Sequence, residues 1–196
     1  MDSKLHLLKA EKLQRYTVPI ISKYIRHKTL LSIGCGSGAH EYLFYKNLDA
    51  KIVLTDLCDK RIDQAKRFPF YILSIDDISN EMIREHVDVV FLQYVIHHLD
   101  PKIDLEKVFK NLKSVADTII IIEEIKTDKT NLQVAIDYDK KSNLSLGHKV
   151  EFFHYRTNTE FINLFLKTGL NLISNKKYYA GTSKNGFLEK RIYILN

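Results

Sequence analysis

The chain has 196 residues, of which 45% are hydrophobic and 28% charged, and a formal net charge of +6. That length suits one domain with a core large enough to need neither disulfides nor metal, and the hydrophobic content is that of an ordinary soluble globular protein. No apolar run reaches the length of a membrane span, which excludes a helical membrane protein from the expectation.

Two cysteines, Cys35 and Cys58, form neither a disulfide framework nor a C-x-x-C pair. The first sixteen residues carry charges through their apolar part, unlike a signal-peptide core. A reducing, cytoplasmic setting is the expectation. Residues 1–125 hold 18 basic and 18 acidic side chains, so the whole excess lies beyond them, where 12 basic face 6 acidic. This asymmetry fits either an anionic partner or substrate, or a solvated lysine-rich surface.

Taken in order, residues 3–27 read as an N-terminal helical cap (1–28), with Leu8, Leu13, Ile20, Ile21 and Ile25 at helical spacing and Pro19 predicting a break into two segments. Residues 30–33 form a short apolar strand that ends in Gly34-Cys35-Gly36-Ser37-Gly38. Helix-forming residues follow over 39–48, then a second apolar run at 52–54 that stops at Asp56. Further strands are predicted at 70–75, 87–92 and 118–123, with helices at 60–67, 80–85 and 104–115. This strand–helix alternation, with strands apolar throughout, predicts a parallel sheet covered on both faces. Residues 126–156 read as a polar, irregular lid or substrate loop. A helix over 157–168 and two strands near 170–177 and 187–195 close the chain. The glycine-bearing link between those strands makes the last one antiparallel. The predicted fold class is α/β: a doubly wound, mostly parallel seven-stranded sheet in a single domain.

The strand, glycine loop, helix and strand-terminal acid form the unit that binds adenosine-containing cofactors. Glycines let the backbone approach a ligand where a Cβ would collide, and the helix start favours an anion. Asp56, 22 positions after Gly34, suits the two hydroxyls of a ribose. Gly34, Gly36 and Ala39 also satisfy G-x-G-x-x-G/A, so a nicotinamide or flavin enzyme is a rival reading.

LLSIGCGSG, LTD, SIDDIS and VDVVFLQYVIHHLD, followed by an antiparallel strand pair, resemble the class I S-adenosylmethionine-dependent methyltransferases, and their small-molecule branch in particular. The resemblance runs from about residue 29 to the end. It implies a Rossmann-like methyltransferase fold and S-adenosylmethionine as cofactor. Gly34, Cys35, Gly36, Ser37 and Gly38 would line the methionine part, Asp56 would bind the ribose, and Leu57 would pack on the adenine. Asp76 or Asp77, with Ile78, would contact the adenine edge and ring. Gln93 would reach the methionine amino group and Tyr94 would face the methyl. Ser32 departs from the family, whose members commonly carry an acid there.

A sulfonium methyl is already electrophilic, so the expectation is no metal, and the histidines show no ligand spacing in sequence. His97 and His98 are the general-base candidates; as neighbours at a helix start they are expected to point in different directions. Tyr16, His154, Tyr155 and Arg156 are candidate substrate contacts. The acceptor is expected to be an oxygen or nitrogen of a small metabolite. The alternatives are an RNA cap guanine-N7-like enzyme, suggested by the basic C-terminal third, and a non-catalytic partner subunit. No membrane partner is expected, and oligomeric state is not legible.

Overall fold

A computed structural model describes residues 3–56, 63–72, 86–145 and 150–196. The order is α1 (Ser3–Ile25), β1 (Thr29–Ile33), α2 (Ala39–Leu48), β2 (Lys51–Thr55), β3 (Tyr71–Ile72), β4 (Val87–Gln93), α3 (Leu105–Val115), β5 (Ala116–Ile125), α4 (Leu132–Ser145), α5 (Asn158–Lys167), β6 (Leu172–Tyr179) and β7 (Glu189–Leu195). Single 3-10 turns lie at Ile96–His98 and Ser183–Asn185. Among the described residues the strands form one seven-stranded sheet in the order β3-β2-β1-β4-β5-β7-β6. The first five run parallel, and β7 lies antiparallel between β5 and β6. This is the expected doubly wound sheet with its last strand reversed.

Alternation along the central strands divides the core into two layers. Val90 and Leu92 of β4, Ile119 and Ile121 of β5, and Tyr193 and Leu195 of β7 face α3 and α5. Val89 and Phe91, Ile120 and Ile122, and Ile192 and Ile194 face α1 and α2. Each of these side chains is at most 1% exposed, so each contributes about 1.5–3 kcal/mol of burial before the entropy of ordering is set against it. Register then places the loops. Ile33 pairs with Thr55 on one side and Leu92 on the other, so Gly34, Asp56 and Gln93 leave the sheet at one edge. Gln93 pairs in turn with Ile122, which brings Glu123 to the same edge.

Two expectations are corrected. Pro19 does not split the N-terminal helix, which runs unbroken from Ser3 to Ile25. Both halves are anchored: Ala10 packs with Ala39 and Leu43, while Ile21 and Ile25 pack on the sheet, and this holds the helix across the lost hydrogen bond. The segment read as an irregular loop contains α4, fourteen residues long. Its inward face is carried by Ala135, Asp139 and Asn143, so the helical period is written mainly in polar residues that hydrophobic patterning overlooks. Residues 63–65 are helical, as expected; residues 60–62, the helix expected at 80–85 and residues 73–75 of the strand expected at 70–75 lie outside the described residues.

Within the α2 layer, Ser32 Oγ donates to Glu41 Oε1 at 2.7 Å, tying β1 to the helix that follows the glycine loop. Burial, opposed by the Ser32 bond and aided by the charge of Asp56, raises the Glu41 carboxyl to about 7. The folded state therefore retains a proton that the unfolded chain releases at its ordinary carboxylate pKa, and stability falls as pH rises through this window. Glu41→Gln removes that loss: relative to wild type it gains on the order of 3 kcal/mol between acid pH and about pH 8 in urea unfolding. An equal difference at both pH values would contradict the buried, proton-retaining carboxyl. At α5, the Thr157–Glu160 capping box satisfies two backbone N–H groups, so Thr157→Ala costs about 1 kcal/mol in the same measurement.

Candidate active site

Gly34, Gly36 and Gly38 all have positive φ (69°, 59° and 70°), and they serve different contacts. A Cβ on Gly34 would stand 2.6 Å from Val95 Cγ2, so this glycine lets the turn after β4 pack against the loop. Gly38 lies behind the loop against Ala65, Leu54 and Phe68 and is not among the cavity-lining residues. The amides of Gly34 and Cys35 donate to Thr55 O at 2.8 and 3.1 Å, and Gly36 N donates to Asp56 Oδ2 at 2.8 Å. Asp56 is thus aimed across the loop mouth. No side chain caps α2 at Gly38.

These groups open onto a cavity of about 760 Å³, bounded by α1, the carboxyl edge of β1, β2 and β4, α4 and the 183–185 turn. Of the sequence candidates it is lined by Gly34, Cys35, Gly36, Ser37, Asp56, Gln93, Tyr94, His97, His98 and Tyr16. Leu57, Asp76, Asp77 and Ile78 lie outside the described residues. His154 is exposed and Arg156 lines a separate groove with Leu105 and Glu160, so neither reaches the cavity. Tyr155 is buried beneath it, stacked on His97 with ring centres 5.0 Å apart.

At the polar end, Glu123 is fully buried and accepts from Val95 N (2.9 Å), Ile96 N (2.7 Å) and His97 Nδ1 (2.6 Å). His97 Nε2 stands 3.3 Å from Asp139 Oδ2, which also accepts the Tyr155 hydroxyl at 2.7 Å. Burial opposes a charged His97, but the two carboxylates flanking the ring overcome it and hold its pKa well above the ordinary value. His98 donates Nδ1 to Phe152 O at 3.1 Å and sets Nε2 3.6 Å from Asp139 Oδ2. Burial and the neighbouring His97 charge push it down to about 4. The two rings do not diverge as expected. In a 3-10 turn they lie 3.9 Å apart, and both line the cavity.

A second polar wall was not legible in sequence. Lys190 of β7 pairs with Glu124 at 3.0 Å and lies 4.6 Å over the Tyr94 ring, whose hydroxyl meets that of Tyr178 at 2.5 Å. Tyr94 holds this place with a left-handed φ of 56°. Asp139, Glu124 and Lys190 lie on separate elements, and no local spacing joins them. Ser32, at the position where the resemblance leads us to expect an acid, is met by the carboxyl group of Glu41 from the next helix.

Comparison with known proteins agrees with this geometry. A family model described as a methyltransferase domain matches residues 2–175. An uncharacterized protein of Haemophilus influenzae is 27% identical over 125 residues, which are 58% of this chain and 49% of that protein, so the chain spans about half the length of this relative. Among solved structures, an S-adenosylmethionine-dependent methyltransferase of Clostridium acetobutylicum superposes with a TM-score of 0.67 at 14% identity, covering 95% of this chain and 91% of that one. The magnesium protoporphyrin IX methyltransferase of Synechocystis PCC 6803, with bound S-adenosylhomocysteine, gives 0.66 at 14% identity, covering 97% and 82%. A putative sarcosine dimethylglycine methyltransferase of Galdieria sulphuraria gives 0.67 at 10%, covering 96% and 85%. The match over most of the chain, on a sheet whose edge gathers the glycine loop and its acid, makes this protein a member of the methyltransferase-domain family with the class I S-adenosylmethionine-dependent fold.

Proposed function

We propose that the chain transfers a methyl group from S-adenosylmethionine to an oxygen or nitrogen of a small molecule held between the glycine loop and α4. The observation that carries this is the single cavity that joins the loop and Asp56 to the His97–His98–Asp139 cluster. A volume of about 760 Å³ lies within the range of small-ligand sites and leaves room for a cofactor and a compact acceptor. The roof formed by α4 and the 183–185 turn favours a small acceptor over a polymer. Relatives of the same fold described as acting on magnesium protoporphyrin IX or sarcosine dimethylglycine support that choice.

When bound, the cofactor supplies a sulfonium methyl that needs no further activation. The Ser37 amide and the start of α2 would receive its carboxylate, and Asp56 would accept from the ribose hydroxyls while keeping the Gly36 N–H. Gln93 and Tyr94 flank the methionine end where β4 ends. His97, gripped by Glu123 and Asp139, has no ring nitrogen left for base work and serves to orient the cluster. His98 offers Nε2 toward the cavity and is the group that meets the acceptor. In-line alignment of this kind is worth roughly 7–11 kcal/mol in ideal intramolecular reactions, so positioning and exclusion of water are the chain's main contribution.

Calorimetric titration with S-adenosylhomocysteine tests the reading directly, with submillimolar binding as the expected result. Asp56→Ala removes two ribose hydrogen bonds and weakens binding at least tenfold. A thermal melt of the variant separates this from loosening of the loop, and an unchanged affinity in a folded variant would remove Asp56 from the site.

A further inference from the structure

We propose that His97, His98 and Asp139 form a binding site for a divalent transition-metal ion, with the two imidazole Nε2 atoms and Asp139 Oδ2 as ligands and the open coordination positions facing the cavity; the ion takes the place of the proton that His97 Nε2 shares with Asp139, and that proton leaves to solvent. The three atoms lie within 4.8 Å of one another, and the carboxylate oxygen is 3.3 Å from one ring nitrogen and 3.6 Å from the other. Ligands about 2.0–2.2 Å from a shared ion stand roughly 3.0–3.6 Å apart, so Asp139 is already at ligand spacing from both rings.

Each ligand is held from behind, as metal-binding side chains are. Glu123 Oε2 takes His97 Nδ1 at 2.6 Å, and Phe152 O takes His98 Nδ1 at 3.1 Å. Asn143 Nδ2 donates to Asp139 Oδ1 at 2.8 Å, while Tyr155 donates to Oδ2 at 2.7 Å. Phe152 O can only accept, so His98 carries its proton on Nδ1 and turns a bare Nε2 lone pair toward the Asp139 carboxylate. Two acceptors facing each other at 3.6 Å repel, and a cation between them reverses the sign.

Two imidazoles and one carboxylate suit Mn, Fe, Co or Zn rather than the all-oxygen sites of Mg or Ca. Three protein ligands leave positions for other oxygens. Resting on the methyltransferase reading, those positions select an acceptor with two adjacent oxygens, of the vicinal diol or hydroxy-acid class, anchored to the ion beside the methyl, so that His98 meets the acceptor through the ion.

The test is titration of chelator-stripped full-length protein with Co2+, followed by visible absorption. One ion per chain is expected, with binding weakened at least tenfold in Asp139→Asn and His98→Gln. Zn2+ added to 15N-histidine-labelled wild type supplies a readout that needs no variant: two Nε2 resonances should move. Failure of Co2+ to bind below the millimolar range, equal binding in folded variants, or all eight histidines unmoved by Zn2+ each overturns the site. S-adenosylhomocysteine is titrated alongside. Ion binding without cofactor binding would remove the methyltransferase reading alone, and the reverse would remove the ion site alone.

Discussion

Glu123 is the constraint on which the site depends. Its carboxylate has no access to solvent, and it is held by two backbone amides of the turn after β4 and by the His97 ring. Removing one partner of such a buried charge typically costs about 3–5 kcal/mol, because the other is left uncompensated. The bonds also have reach. Fixing Val95 sets the side chain that packs where Gly34 lacks a Cβ, and so fixes the glycine loop. Fixing His97 sets Asp139, and through it α4 and Tyr155. One carboxylate at the sheet edge thereby ties the glycine loop to α4.

The charges on the wall made by β4, β5, β7 and α4 are paired. His97 sits between Glu123 and Asp139, and Lys190 is matched by Glu124 while lying over aromatic faces. Burial opposes the charge of Lys190, but Glu124 outweighs it and keeps the amine above its ordinary pKa. Paired in this way, the charges orient the polar groups of that wall.

The readable part of the chain was whatever local order carries. A strand, three glycines and an acid 22 residues later form a unit whose geometry follows from spacing, and the two adjacent histidines stand out at the end of an apolar strand. The sheet was legible because each strand is apolar throughout, a pattern that only two-sided cover explains. What escaped depends on distant pairing. Asp139 looked like one more charge in a polar segment, since its helix is written mainly in polar residues, and Glu124 and Lys190 acquire meaning only when β7 inserts beside β5. Pro19 marked a break that packing at both ends of α1 overrides. Tyr155 was singled out for contact with a substrate, but it is buried and supports Asp139 from below.

Insertion of β7 sets Glu124 directly opposite Lys190 in an antiparallel ladder, so the chemistry of that wall is a matter of register. Sliding the ladder by one residue would turn Lys190 to the far face and bring a neighbour inward, while β1, β2 and β4 kept the nucleotide half intact. The Glu124–Lys190 pair therefore exists only in this one register.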